Sequence, residues 1–243
     1  MPAYCTDQQA RELILEVGRR MFQRQYVAAN DGNISVRTGE DWVWVTPAGV
    51  SKGYMTEEML VCVDLGGTIL EGTAKPSSET KMHLRVYREN PSVGSVVHAH
   101  PIAATTFSIA RIPLDVAIMT ESVIGLGVVP VAEYATTGTQ GVPDSVAPFC
   151  QDYNACLLAN HGALTWGKDA MQAYYRMETL ECCATIMMNL GYLNRPPCVL
   201  TRSQVDELLE IRRNLGVTSG GIPLCAEDLT VSADSNQTRQ REV

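Results

Sequence analysis

Two of the chain's four histidines stand one residue apart, in the segment Val-Val-His-Ala-His-Pro at residues 96–101. Residues two apart on an extended strand point to the same face of a sheet, so His98 and His100 are predicted to project side by side. Two imidazoles in one small volume can chelate a divalent metal ion. The alternative is a pair of half-buried histidines whose ring nitrogens are satisfied by backbone groups.

Two more residues could complete a metal site. His161 lies where the apolar strand of Leu-Leu-Ala-Asn-His-Gly runs into a turn, and ligand clefts form at strand ends. Glu79 lies in the first turn of a predicted helix, where a carboxylate can also serve as a helix cap. Three imidazoles and one carboxylate suit Zn²⁺ or a similar divalent ion. His83, one turn after Glu79, is predicted to be a packed helix residue.

Two segments look suited to an anion. Gly32 and Asn33 lie in a glycine-bearing turn that offers backbone N–H groups, and Ser77 and Ser78 place hydroxyls at a helix N-terminus. A phosphate group would fit between these segments. A plain turn at Asn33 and a plain N-cap at the serines are the alternatives. Thr-Pro-Ala-Gly, which ends at Gly49, is a weaker third turn of this kind.

The elements that must position these residues alternate between short β-rich runs and amphipathic helices, with no internal repeat or linker. A helix is predicted from Thr6 to about Ala28, and a β-hairpin follows it. A strand region is predicted over about 115–131, and the strongest helix runs from Asp169 to about Leu190. With 243 residues and 45% hydrophobic content, the chain is expected to form one α/β domain.

Composition and charge exclude several classes of partner. Lys and Arg total 19 against 27 Asp and Glu, without a basic, aromatic-interleaved patch, so nucleic acid is not an expected partner. The chain has no apolar run of about 18 residues and no signal-peptide core near its start, which predicts a soluble protein without a membrane partner. Its eight cysteines lack a CxxC pattern and are expected to be reduced in the cytoplasm.

Five motifs carry a resemblance to a known family. Gly-Asn-Ile-Ser, Thr-Pro-Ala-Gly, Pro-Ser-Ser-Glu, Val-Val-His-Ala-His-Pro and Asn-His-Gly follow one another across about residues 10–215. In this order and spacing they resemble the class II sugar-phosphate aldolase and adducin-head family, typified by L-fuculose-1-phosphate aldolase. The resemblance implies a three-layer α/β/α sandwich around a mostly antiparallel central sheet. It also implies a homotetramer with active sites at subunit interfaces.

The domain of this family is expected to cover residues 1–220. The polar segment 221–243, which ends in Asp-Ser-Asn-Gln-Thr-Arg-Gln-Arg-Glu-Val, is expected to be a mobile C-terminal tail.

The resemblance also implies roles for individual residues. A zinc ion, or another divalent metal, would be bound by Glu79, His98, His100 and His161. The phosphate of a small phosphorylated sugar would be bound by Asn30, Gly32, Asn33, Gly49, Ser77 and Ser78. Asn30 stands where the fuculose enzyme has threonine.

Within the family, Glu79 together with intact histidines favours cleavage of a carbon–carbon bond. Epimerase relatives tend to carry aspartate at this position, and adducin heads lack the metal histidines. The implied reaction reversibly splits a (deoxy)ketose 1-phosphate, such as L-fuculose 1-phosphate, into dihydroxyacetone phosphate and an aldehyde such as L-lactaldehyde. Glu79 would move the proton. The alternatives are a dehydratase, epimerase or decarboxylase of the same fold, or a non-enzymatic adducin-like interaction module.

The proton donor to the aldehyde is the open part of this prediction. Two tyrosines of the fuculose enzyme correspond here to Ala117 and Leu215. Glu121 lies where the dehydratase relatives place an acid/base and is the predicted second catalytic residue. A surface glutamate with no catalytic role is the alternative for Glu121.

Overall fold

One eight-stranded sheet forms the centre of the protein in the computed structural model, which describes residues 4–230. Its strands are β1 (Asn33–Gly39), β2 (Trp42–Val45), β3 (Val61–Val63), β4 (Ile69–Glu71), β5 (Ser95–Ala99), β6 (Val131–Ala132), β7 (Ala155–Leu158) and β8 (Gly162–Gly167). They lie in the order β4-β3-β2-β1-β5-β8-β7-β6. Every neighbouring pair is antiparallel except β6 and β7, so the predicted mostly antiparallel sheet is confirmed.

Helices cover both faces of this sheet. They are α1 (Asp7–Gln23), α2 (Thr80–Glu89), α3 (Ile102–Ala110), α4 (Gly141–Val146), α5 (Ala170–Tyr192) and α6 (Arg202–Asn214). One apolar core lies under α1, α3 and α5, and a second lies under α2 and α4 on the opposite face. The predicted α/β/α sandwich is therefore confirmed. Among the helices of residues 4–230, none is long and apolar enough to cross a membrane.

Strand β5 shows how the sequence directs side chains to each layer. Val97 and Ala99 pack in the core beneath α1, α3 and α5, whereas Val96 packs in the core beneath α2 and α4. Successive strand residues point to opposite faces, so His98 shares the face of Val96. All five residues of β5 are buried, and this strand lies between β1 and β8 near the middle of the sheet.

The first helix begins where the sequence predicts and ends sooner. Thr6 forms a capping box with Gln9, which satisfies backbone groups at the N-terminus of α1. The helix ends at Gln23 rather than near Ala28, because the chain reverses at Gln25, whose φ is 59°. The residues released from the helix form the loop that leads into β1.

The strand region predicted over about 115–131 is wrong. Ser122–Leu126 form a π-helical turn, and β6 begins only at Val131. β-branched residues gave the segment its strand-like pattern, but Gly125 and Gly127 interrupt it, and Gly127 allows a tight approach to another loop. At Gly127, where φ is 85°, a Cβ atom would lie 1.9 Å from the backbone oxygen of Gly220.

The C-terminal segment is held against this same region. The backbone N–H of Leu224 donates to the oxygen of Asp115 at 2.7 Å, and Ala117 donates to the oxygen of Leu224 at 2.9 Å. Cys225 is fully buried in a small third core beside α6. Residues 221–225, which the sequence assigned to a mobile tail, thus pack on the domain, while residues 231–243 of that tail lie outside the described residues.

Candidate metal and phosphate site

The ends of two neighbouring strands bring three histidines together. Ala99 of β5 pairs with Ala163 of β8, so His100, just after β5, and His161, just before β8, meet at one edge of the sheet. The Nε2 atoms of His98 and His100 are 3.0 Å apart. One ring nitrogen from each of the three histidines lies within 4.8 Å of the others. The side-by-side arrangement predicted from the sequence is present.

A tight turn places His161. The turn from β7 to β8 passes through Asn160, whose φ is 56°, and is closed by a 2.9 Å hydrogen bond from the His161 N–H to the Leu158 oxygen. Gly162 then runs very close to β5. A Cβ atom at Gly162 would lie 2.5 Å from the Ala99 oxygen and 2.6 Å from the His100 ring, so only glycine fits between these strands.

Glu79 directs its carboxylate at the histidines. It occupies the N-cap position of α2, but its side chain makes no capping hydrogen bond. One carboxylate oxygen lies 3.3 Å from His98 Nε2 and the other lies 3.1 Å from His161 Nε2. The Asn33 side-chain amide donates to Glu79 Oε2 at 2.7 Å and fixes the carboxylate in this position. The structure thus places Glu79 with the imidazoles rather than in a cap.

In this cluster, attraction between opposite charges outweighs the effect of burial on the pKa of Glu79 and of His98. Burial disfavours the charged form of Glu79, but His98 and His161 outweigh it and hold the pKa of the carboxyl below its usual range. Burial likewise disfavours protonated His98, yet the Glu79 carboxylate raises the pKa of that imidazole. For His100, burial and the neighbouring imidazoles lower the pKa to about 4. His100 is therefore neutral at physiological pH and able to coordinate a metal.

The outer nitrogens of two histidines are held by the protein. His98 Nδ1 lies 2.9 Å from the Ala163 backbone oxygen, which can only accept, so Nδ1 carries the proton and Nε2 faces the cluster. His100 Nδ1 lies 3.4 Å from Asp31 Oδ2. A carbonyl or carboxylate behind the imidazole is the usual support of a metal-binding histidine.

These donors fit a divalent cation. Two ligands of a tetrahedral zinc ion with bonds of about 2.0 Å are roughly 3.3 Å apart, and the Nε2 atoms of His98 and His100 are at 3.0 Å. The Oε1 atom of Glu79 is buried and lies 3.1 Å from His161 Nε2, but it accepts no well-aligned hydrogen bond from the described residues, and Asn33 Oδ1 is likewise buried without a partner there. A cation among these atoms would relieve both the imidazole crowding and the unsatisfied carboxylate.

The fourth histidine has a different environment. His83 is 1% exposed inside the protein, and its Nδ1 lies 2.8 Å from Ser35 Oγ, which also contacts the Tyr87 hydroxyl. Burial lowers the pKa of His83 to about 3, so it is neutral. The packed role predicted for this residue agrees with these contacts.

A polar cavity of about 360 Å³ opens beside the cluster. All six residues predicted to bind phosphate line it, together with Glu79, His100 and His161. The remaining lining residues are Asp31, Pro47, Ala48, Lys52 and Thr137. Three of the four candidate metal ligands and all of the candidate phosphate contacts therefore face one space, and His98 lies buried behind it.

Three loops, at residues 30–33, 46–52 and 75–78, line this cavity. The Ala48 N–H donates to the Lys75 oxygen, and the Ser77 N–H donates to the Thr46 oxygen, which joins the second loop to the third. In the first loop, Gly32 has a φ of 75°, and a Cβ atom there would lie 2.6 Å from the Val27 side chain. Glycine is required at this turn for both reasons.

Sequence reasoning missed Lys52. This residue is 2% exposed although it lines the cavity, and its ammonium donates to the backbone oxygens of Asn30, at 2.9 Å, and Val50. Burial lowers its pKa to about 8, against the opposing effect of Asp31 and Glu79. Because lysine is seldom buried, sequence reasoning does not place one inside a cavity. The signal that could have found Lys52 was its position three residues after the Thr-Pro-Ala-Gly turn.

Glu121 lies elsewhere in the single chain. Its side chain is exposed, accepts a hydrogen bond from the Thr120 hydroxyl and lines a separate cavity beside Tyr26 and Glu181. Ala117 is fully buried in the third core, and Leu215 is 67% exposed. The structure does not bring any of these three predicted positions to the histidines of the same chain, so the role of Glu121 stays a prediction.

Comparison with known proteins adds to this geometry. Residues 12–188 match the sequence model of a family described as Class II Aldolase and Adducin N-terminal domain. An L-fuculose phosphate aldolase of Methanococcus maripaludis is 34% identical over 179 residues, which cover 72% of this chain and 96% of that protein. A 3-oxo-tetronate 4-phosphate decarboxylase of Pectobacterium atrosepticum is 33% identical over 207 residues, which cover 84% of this chain and 94% of that protein. A solved L-fuculose 1-phosphate aldolase superposes with a TM-score of 0.79 at 28% identity and covers 88% of this chain and 100% of its own.

Proposed function

The chain belongs to the class II aldolase and adducin N-terminal domain family, and from that premise we propose that it is a zinc-dependent aldehyde-lyase of the L-fuculose-phosphate aldolase type. It reversibly cleaves a (deoxy)ketose 1-phosphate, such as L-fuculose 1-phosphate, into dihydroxyacetone phosphate and a small aldehyde such as L-lactaldehyde. The observation that carries the proposal is the shared cavity, in which a carboxylate aimed at three imidazoles faces loops suited to a phosphate.

In this proposal Glu79, His98, His100 and His161 hold the metal. Bound there, a divalent cation would act as a Lewis acid toward the substrate's carbonyl and hydroxyl oxygens. The nitrogen-rich donor set favours zinc over magnesium or calcium, which prefer oxygen ligands.

Glu79 is the proposed proton carrier of the reaction. Its carboxylate reaches the cavity and stays ionised because His98 and His161 lower its pKa, so it is available to accept a proton from the substrate. Asn33 holds one carboxylate oxygen at 2.7 Å and limits the rotation of the side chain. A base fixed within reach of the reacting carbon contributes to the rate through position as well as basicity.

The proposed phosphate subsite uses neutral donors. Ser77 and Ser78 lie just before the ten-residue helix α2, whose first N–H groups and dipole favour an anion. Gly32 and Gly49 both have a φ of 75° and leave backbone atoms open to the cavity. Asn30 and Asn33 complete the proposed set, and the Asn33 side-chain amide holds Ser77 and Glu79 in place by donating to both of them.

We further propose a cytoplasmic homotetramer whose active sites lie between subunits. The exposed position of Glu121, outside the histidine cavity of its own chain, supports a role in the site of a neighbouring subunit. The lack of a CxxC pattern among the eight cysteines supports the proposed reducing compartment.

Decarboxylation is the second candidate reaction. The relative named 3-oxo-tetronate 4-phosphate decarboxylase is nearly as similar as the aldolase and covers more of this chain. Both reactions break a carbon–carbon bond next to a carbonyl group and leave the electron pair on carbon. They differ in the fragment released, which is an aldehyde in one case and carbon dioxide in the other.

One experiment separates these reactions. The zinc-loaded protein is incubated with dihydroxyacetone phosphate and a panel of short aldehydes, and in parallel with a 3-oxo acid 4-phosphate, and products are identified by mass. Condensation with lactaldehyde, without release of carbon dioxide, is the expected result. Carbon dioxide release without condensation would replace the aldolase by the decarboxylase, and the metal-free protein is the control for both.

A further inference from the structure

The cavity has an unusual charge distribution for a site that takes a phosphate. All six proposed phosphate contacts are uncharged, whereas Asp31 and Glu79 bring two carboxylates to the same space. A phosphate monoester carries nearly two negative charges at neutral pH. Lys52 is the only lysine or arginine among the described residues that line this cavity.

The Lys52 ammonium sits between two of the proposed phosphate loops. It donates to the backbone oxygen of Asn30 in one loop and to that of Val50 next to the other. An ammonium has three N–H donors, so one remains after these two bonds. Within residues 4–230 this ammonium forms no ion pair with a carboxylate, although its side chain is almost completely buried.

The backbone of Lys52 packs directly against helix α1. At Gly18 in α1 a Cβ atom would lie 2.5 Å from the Lys52 carbonyl oxygen, so the helix and this loop are in direct contact. The side chain therefore starts from a rigid support and extends toward the cavity. Burying an unpaired ammonium is costly, and a bound anion would offset that cost.

We propose that Lys52 binds the phosphate of the substrate and makes the cavity selective for dianionic phosphate monoesters over neutral sugars. This inference rests on the proposed phosphorylated substrate but is independent of which bond the enzyme breaks. A purely structural clamp, in which Lys52 only joins the two loops, is the competing explanation. The charge of the side chain separates these two explanations, because a clamp requires only N–H donors, whereas selectivity for a dianion through Lys52 requires its positive charge.

Lys52→Gln keeps an N–H donor for the loop carbonyls and removes the charge. Isothermal titration with glycerol 1-phosphate, on zinc-loaded protein at pH 7, should show at least tenfold weaker binding for this variant. Lys168→Gln is the matched control, since it makes the same change at an exposed lysine directly after β8, at the strand end opposite His161. It should bind the ester as the wild type does, and metal content should be unchanged in both variants.

In turnover, Lys52→Gln should raise KM for the phosphorylated substrate far more than it lowers kcat. Unchanged affinity for glycerol 1-phosphate in a folded, metal-loaded Lys52→Gln protein would leave Lys52 as a clamp and overturn the inference. If the variant does not fold, the wild type decides: affinity that stays constant from pH 7 to 9.5 would equally overturn it. Asp31 and Glu79 are the charged groups facing Lys52 in that titration.

The outcomes are distinguishable from failure of the proposed reaction. A wild type that binds the ester through Lys52 but neither condenses nor cleaves sugars would refute the aldolase and keep the inference. Normal aldol activity with an unchanged KM in Lys52→Gln would keep the aldolase proposal and refute the role of Lys52.

Discussion

Glu79→Gln tests the residue that is asked to be both a metal ligand and a base. Glutamine keeps the shape of the side chain and an oxygen that can accept the 2.7 Å hydrogen bond from Asn33. Its amide cannot take up a proton at neutral pH. Three imidazoles remain to hold the metal, so the zinc content measured by elemental analysis should stay near one ion per chain.

The expected loss of turnover follows from the role of the base. A positioned proton carrier contributes typically 10²- to 10⁴-fold to a rate, and kcat should fall by about that factor, or roughly 3 to 5 kcal/mol in activation free energy. Glutamine keeps the hydrogen bond to Asn33, which is itself a proposed phosphate contact, so binding of glycerol 1-phosphate should change by less than about threefold. Exchange of the C3 proton of dihydroxyacetone phosphate with heavy water, followed by NMR, should be lost as well. That half-reaction needs the base but no aldehyde.

Two results would contradict this reasoning. Retained proton exchange with lost cleavage would place the base at another residue, and Glu121 would be the first to test. Loss of zinc in Glu79→Gln would show that the carboxylate is indispensable as a ligand, and its role in proton transfer would then be left without support. Glu121→Gln is the matched comparison, since it makes the same chemical change at a glutamate outside the histidine cavity and should leave proton exchange intact.

Replacing His98, His100 or His161 by alanine should abolish zinc binding and activity together. His83→Ala should lower the melting temperature but keep the metal, since His83 contacts Ser35 instead. Elemental analysis that found zinc lost in His83→Ala and kept in His161→Ala would show that the ligand set is wrong. Ser78→Asp should raise KM for the phosphorylated substrate by roughly ten- to a hundredfold at constant zinc content, because it places a negative charge against the phosphate. Affinity for the phosphate ester should be highest below pH 8 and fall up to tenfold per pH unit above it. Burial lowers the Lys52 pKa to about 8, and only the protonated form attracts the dianion. Arginine stays charged in this range, so the same decline in a Lys52→Arg variant would refute this assignment.

The residues with the strongest local signals could be placed from the sequence. A two-residue spacing in an apolar strand was sufficient to put His98 beside His100, and the helix signals at Thr6 and Asp169 correspond to the observed starts of α1 and α5. The turn after β7 likewise positioned His161 at a strand end. These features depend on neighbours in the chain, which a sequence displays directly.

Features that depend on distant neighbours were missed. Strand β8 follows His161 at once and lies between β5 and β7, but its short run with glycine at both ends was not predicted as a strand. The segment around 115–131 has strand-like residues, yet contacts with the loop at Gly220 and with α6 determine its shape. Lys52 is buried because α1 and two loops enclose it, and nothing in its immediate sequence reports that enclosure.

The register of the central strands has a consequence for how the proposed metal site would fill and empty. Asn33 pairs with His98, and His98 pairs with Leu164, so the backbone next to the candidate ligands belongs to the hydrogen-bonded middle of the sheet. Local opening there would have to break the ladder on both sides of β5, and amide hydrogen exchange of Val97 and His98 should therefore proceed only through global unfolding. The geometry of these candidate ligands is therefore expected to persist without a bound metal, and protein treated with a chelator should bind added zinc on mixing, without a refolding step.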